Sequence, residues 1–127
     1  MTYFVKNKWT TSKKTRVGDH IYDSGFEADY ARELHLRKAA GEIKDWEKQK
    51  TLDLVVNEYL VCTYRIDFIV YHLDDTVEYV ETKGWASPVW RIKWKLFEAL
   101  YSDKLGVKLT VVQQRSNWRV PKAKKYG

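Results

Sequence analysis

The sequence predicts one α/β domain, a central mixed β-sheet flanked by helices in the order α-β-β-β-α-β. Three observations carry that prediction. Two segments of helical periodicity, opening after Ser24 and after Ser87, bracket a run of strand-like segments between Ile43 and Lys83. A last β-rich stretch, Val107 to Val112, follows the second helix. The 127 residues are the length of one domain, and their 44% hydrophobic and 31% charged composition is that of an ordinary soluble globular protein.

Residues 1–13 read either as a frayed arm or as holding a short strand at Tyr3-Phe4-Val5. Lys14 to Tyr22 reads as a hairpin turning at Gly18-Asp19. Ser24 is the expected N-cap of the first helix, with Glu27 three residues on as in a capping box. The helix runs to about Ala40, where Gly41 stops it. Phe26, Tyr30 and Leu34 form its apolar stripe, and at 100° per residue Glu27 lies only about 20° from Leu34. An acid at the edge of a buried stripe either caps the helix or reaches a buried metal site.

Ile43 to Glu47 and Thr51 to Val56 are expected as two strands, with Asn57-Glu58 turning the chain into a long strand from Tyr59. Ser87 is the N-cap of the second helix and Pro88 occupies its first turn. Its expected core stripe is Val89, Ile92, Leu96, Phe97 and Leu100, and Gly106 closes the helical region.

The chemistry lies on two strands, Tyr64 to Tyr71 and Val77 to Lys83, joined by the polar stretch His72-Leu73-Asp74-Asp75-Thr76. Side chains alternate along a strand, so Glu81 and Lys83 point the same way, with Thr82 opposite. In a hairpin, Asp67 sits beside Glu81. Ile69 and Tyr71 share the face of Asp67, and Val77 and Tyr79 that of Glu81, so the charges enter an apolar face where isolated charge is costly. Two carboxylates and an ammonium then share one pocket, and the hard carboxylate oxygens suit Mg²⁺, with Mn²⁺ as substitute. The bland alternative is a surface ion pair between Glu81 and Lys83.

Asp67 followed by Glu81-Thr82-Lys83 resembles the core motif of the PD-(D/E)xK nuclease superfamily, an Asp on one strand and (Asp/Glu)-x-Lys on the next. From about Tyr22 to Tyr101 the chain is also similar to a family of small phage-encoded, Holliday-junction-resolvase-like nucleases within it. Phe26-Glu27 near the first helix start, Lys83-Gly84 ending the catalytic strand and Lys95-Leu96-Phe97-Glu98-Ala99-Leu100 in the following helix carry that similarity. The resemblance implies a restriction-endonuclease-like core and Mg²⁺-dependent hydrolysis of DNA phosphodiesters, directed at branched or structured DNA by a homodimer. It assigns catalysis to Glu27, Asp67, Glu81 and Lys83. The metal falls to Asp67, Glu81 and the Thr82 carbonyl, with Glu27 as a further candidate. Two rival readings are a general or restriction-like nicking enzyme and a non-catalytic DNA-binding or packaging accessory on the same fold.

Charge is concentrated at the ends. The net charge is +6. Residues 1–20 hold five basic side chains against Asp19, a local +4, and residues 115–127 hold five and no acid, which leaves −3 for the middle. A basic N-terminal arm (about 1–16) and C-terminal tail (about 115–127) suit a polyanion gripped by its flanks while the centre holds cations. The expected DNA contacts are Lys13, Lys14 and Arg16 in the arm and Arg91, Lys93 and Lys95 at the second helix start. Arg115, Arg119, Lys122, Lys124 and Lys125 complete them in the tail. The one cysteine, Cys62, and the scattered His20, His35 and His72 give no zinc spacing. With no membrane span or signal-peptide core in view, the expected compartment is the cytoplasm, that of the host if the chain is phage-encoded. Six Trp and nine Tyr are many for this length; they fill the core or stack on unpaired bases.

Overall fold

A computed structural model describes residues 2–5, 15–17, 20–22, 25–84, 86–113 and 122–126 of the chain. The expected Ser24 cap, the Gly18-Asp19 turn, Trp85, and Lys13, Lys14, Arg115 and Arg119 lie outside them, as does the side chain of Arg16.

The strands and helices follow in the order β1 (Thr2–Val5), β2 (Thr15–Val17), β3 (His20–Tyr22), α1 (Gly25–Ala39), β4 (Ile43–Val56), β5 (Tyr59–His72), β6 (Val77–Lys83), α2 (Pro88–Tyr101) and β7 (Val107–Gln113). From α1 onward this is the expected α-β-β-β-α-β order. The main sheet runs β1-β7-β6-β5-β4, with β4, β5 and β6 antiparallel and β6, β7 and β1 parallel. Of the two readings of the N-terminus, the strand is observed, since Thr2–Val5 extends the sheet beside β7. β2 and β3 form the expected hairpin. No helix among the described residues is long and apolar enough to cross a membrane.

Local chemistry explains the boundaries. Gly41 takes φ +78°, and the bonds Glu42 N–H to Arg37 O (2.9 Å) and Gly41 N–H to Lys38 O (3.0 Å) close α1 in a Schellman motif. Asn57 and Glu58 both have positive φ, 51° and 70°, the signature of a type I′ turn between β4 and β5. Ser87 caps α2 as expected, its hydroxyl accepting the Trp90 N–H at 3.1 Å, with Pro88 in the first turn.

Two expectations are corrected. Ile43–Glu47 and Thr51–Val56 are one 14-residue strand, because the cross-strand register with β5 continues through Lys48↔Phe68 and Lys50↔Ile66. Gln49, between those pairs, has φ +50°, which bends the strand without ending it. The α2 stripe is also rotated. Trp90, Trp94 and Phe97 are buried, whereas Val89 and Ile92 are 64% and 69% exposed. The indoles cover more of the sheet than Val or Ile would, and they decide which face turns inward.

The core lies on both sides of the sheet. Under α1 are Phe26, Tyr30, Ala31 and Leu34 with Phe68, Val70, Val80 and Val112. Under α2 are Trp90, Trp94 and Phe97 with Leu54, Tyr64, Ile66, Ile69, Leu109 and Val111. Along β5, Tyr64 and Ile66 pack toward α2, Phe68 and Val70 toward α1, and Ile69 toward α2 again. The alternation therefore slips by one residue at Asp67. Pairing between β5 and β6 begins only at Phe68↔Val80, so Asp67 stands where the two strands part.

Candidate active site

Asp67 and Glu81 meet at that parting. The Asp67 carboxylate accepts both the Thr82 N–H (2.9 Å) and the Thr82 hydroxyl (2.7 Å). Glu81 is 3% exposed on β6. Burial pushes its carboxyl well above its ordinary range, and the nearby Asp67 charge pushes it further, while Lys83 pulls the other way. The sheet thus brings together the three groups that the sequence places there.

A second layer holds Glu81. The Tyr64 hydroxyl donates to a Glu81 carboxylate oxygen and accepts the Trp90 indole N–H at 3.0 Å. Burial foremost, then the Glu81 charge, raises the Tyr64 phenol well above its ordinary value, so it stays a donor. The Lys83 ammonium lies 4.9 Å from the centroid of the Trp90 ring, a cation–π contact. Trp90 therefore touches Lys83 directly and Glu81 through Tyr64. Sequence pattern alone did not mark Tyr64, which looks like any strand aromatic. Tyr64→Phe is expected to remove both the acceptor of the Trp90 N–H and the donor to Glu81, lowering stability by about 1–3 kcal/mol; a urea melt measures it, and an unchanged midpoint would refute the bridge.

Glu27 is 5% exposed and turned toward β4, where the Gln49 side-chain amide donates to it at 3.1 Å. Gln49 falls opposite Asp67 in the β4–β5 ladder, between the pairs Lys48↔Phe68 and Lys50↔Ile66. Its positive φ at mid-strand is the kind of strained conformation that persists where the surroundings hold it, often at functional sites. No three His, Cys, Asp or Glu side chains among the described residues are grouped to hold a metal. The donor set that fits a divalent cation is Asp67 with Glu81. Two close carboxylates, one buried and raised in pKa, are what a cation between them would neutralise.

The α2 cations are disposed unevenly. The Lys93 ammonium donates to Thr63 O at 3.0 Å and the Arg91 guanidinium to Ala86 O at 3.4 Å, while Lys95 is exposed. Lys122, Lys124 and Lys125 are exposed, and their segment is tied to the end of α2 by the Ala123 N–H on Glu98 (2.9 Å) and by Lys125 on Asp103 (3.2 Å). An open groove of about 960 Å³ between α1 and β4, lined by His35, Lys38, Trp46, Lys48 and Lys50 among others, reaches Gln49. The other face of β6 buries a different acid, Glu78, bonded by His72 at 2.7 Å and by the Thr110 hydroxyl.

No curated protein and no solved structure is significantly similar to this chain. Residues 6–118 match the family model described as a protein of unknown function, DUF1064, and over that span the chain belongs to the DUF1064 family.

Proposed function

We propose that the protein is a Mg²⁺-dependent DNA endonuclease of the PD-(D/E)xK type, acting as a homodimer on branched or structured DNA in phage DNA processing. The observation that carries the reading is the Asp67–Glu81 carboxylate pair at the parting of β5 and β6, with Lys83 close enough to act on Glu81. Asp67, Glu81 and the Thr82 carbonyl would hold the ion, which neutralises the phosphate, lowers the pKa of a bound water and stabilises the leaving oxyanion. Lys83, steadied on Trp90, orients the attacking water and screens charge on the phosphate. Glu27 acts from further out, through Gln49.

Cleavage of supercoiled, linear, single-stranded, flapped and four-way DNA with and without Mg²⁺ tests the reading, and preference for four-way over linear duplex is expected. A second reading is a DNA-binding accessory on the same fold that does not cut, in which the Glu27–Gln49 hydrogen bond is structural. Binding without metal-dependent cleavage in the same panel would establish it.

The basic ends are expected to hold phosphates in either case. Removing residues 119–127 takes away Arg119, Lys122, Lys124 and Lys125. The dependence of log affinity on log salt should flatten by up to about 0.9 for each phosphate that is no longer neutralised. An unchanged slope in a salt titration would mean that the tail touches no DNA.

A further inference from the structure

β4 and β5 are 14 residues each, and β6 and β7 are seven. Beyond the Phe68↔Val80 pair, β5 has only β4 as strand partner among the described residues, so there the outer half of the hairpin is a two-stranded arm. At roughly 3.3 Å per residue the whole ribbon is about 45 Å long. Leu52, Leu54, Cys62, Tyr64 and Ile66 back the arm onto α2. Its tip has no such support: Val55, Tyr59, Leu60 and Val61 are 44%, 76%, 59% and 56% exposed. A lone ribbon is marginal in water, and an apolar cluster at its end marks a surface that something covers.

A second apolar surface lies on α2. Pro88, Val89, Ile92, Lys95 and Ala99 are all exposed, and their spacing sets them on one side of the helix. Because Trp90, Trp94 and Phe97 face the protein's own sheet, this outer stripe faces away from its own arm.

Charge decides the occupant. Residues 51–64 contain Asp53 and Glu58 and no basic residue, in a chain that has 23. The tip itself, Val55–Val61, holds Glu58 as its one charged side chain, a local charge of −1 that disfavours DNA and anionic lipid alike and suits a surface that is apolar with a positive rim. The α2 stripe, carrying Lys95, is such a surface. We propose that the chain forms a two-fold dimer in which the Val55–Val61 tip of each copy packs on the outer stripe of α2 in the other. Glu58 then faces Lys95. The exchange is isologous and closes at two copies. It rests on the dimer in the proposed function and not on the cleavage chemistry. It also ties the two sites together, since the arm carries Asp67 at its base and α2 carries Trp90 at its start.

Light scattering on the full chain tests it, with circular dichroism to confirm folding of each variant. Wild type should be a dimer, and Leu60→Asp and Ile92→Asp should each be monomers. Glu58→Lys alone and Lys95→Glu alone should each raise the dimer dissociation constant roughly tenfold or more, and the two together should restore it, which no folding defect would mimic. A monomeric wild type, a dimer indifferent to all four substitutions, or a charge swap that fails to restore pairing would overturn the interface. Mg²⁺-dependent cleavage measured on the same samples separates the two ideas. A monomer that cuts refutes only the dimer, and a dimer with this interface that does not cut refutes only the nuclease.

Discussion

Asp67→Ala and Glu81→Ala should each abolish Mg²⁺-dependent cleavage, by on the order of a thousandfold or more, while leaving the fold and most DNA affinity intact. A bound cation contributes several kcal/mol of stabilisation to a phosphoryl transition state, and each 1.4 kcal/mol is about tenfold in rate. Either carboxylate alone is a poor site for a hard dication, so loss of one is loss of most binding. Asp67→Asn is the necessary companion. Its amide oxygen can still accept from Thr82, which holds the native carboxylate at 2.9 and 2.7 Å, so it keeps the local structure and removes the charge. Lys83→Ala should differ in kind, keeping metal and DNA binding and losing rate. Turnover with Mg²⁺ and Mn²⁺ decides the matter. An Asp67 or Glu81 variant that cuts at near wild-type rate would show the metal assignment to be wrong.

What the sequence discloses of this site follows from strand periodicity. Strand alternation puts Glu81 and Lys83 on one face, and the hairpin register that pairs Phe68 with Val80 brings Asp67 to the level of Glu81, although the alternation slips and the pairing ends at Asp67 itself. Caps and turns are legible for the same reason. Ser87, Pro88, Gly41 and Asn57-Glu58 each meet a local backbone demand.

Features that depend on several elements at once are not legible. Val89 and Ile92 fit a helical stripe as well as Trp90 and Trp94 do, and only packing of indoles against Tyr64 and Ile66 selects the observed face. The bend at Gln49 has no glycine or proline to announce it, so one bent strand reads as two. Glu27 at the edge of its stripe is visible, but whether it caps α1 or faces the sheet depends on Gln49, on another element. Tyr64 is the sharpest case: its role comes from meeting Glu81 and Trp90, neither of which is near it in sequence.

The buried carboxyl of Glu81 makes the apoprotein less stable than it need be, and Glu81→Gln should therefore stabilise it at neutral pH and above. Burial and Asp67 make the folded protein hold the Glu81 proton more tightly than the unfolded chain does. Below the unfolded value of about 4.5 both states are protonated and the residue has no effect on the pH dependence. As pH rises past that value the unfolded chain releases its proton first, so folding stability falls until the folded carboxyl ionises too. Each tenfold difference in proton affinity is about 1.4 kcal/mol. The glutamine amide removes this loss: its carbonyl accepts from Tyr64 and its N–H₂ donates toward Asp67, replacing repulsion with a hydrogen bond. The stability gap between variant and wild type should widen from about pH 5 to pH 8, as read by urea melts without metal. Mg²⁺ should then act unequally on the two proteins. Between two carboxylates it favours the ionised form of Glu81, so wild type should gain about 2.7 kcal/mol at a hundredfold excess over its dissociation constant. Glu81→Gln should gain little. Equal stabilisation of both proteins by Mg²⁺ would place the ion elsewhere, and a variant less stable than wild type at pH 8 would mean that Lys83 and Tyr64 already compensate an ionised Glu81 without it.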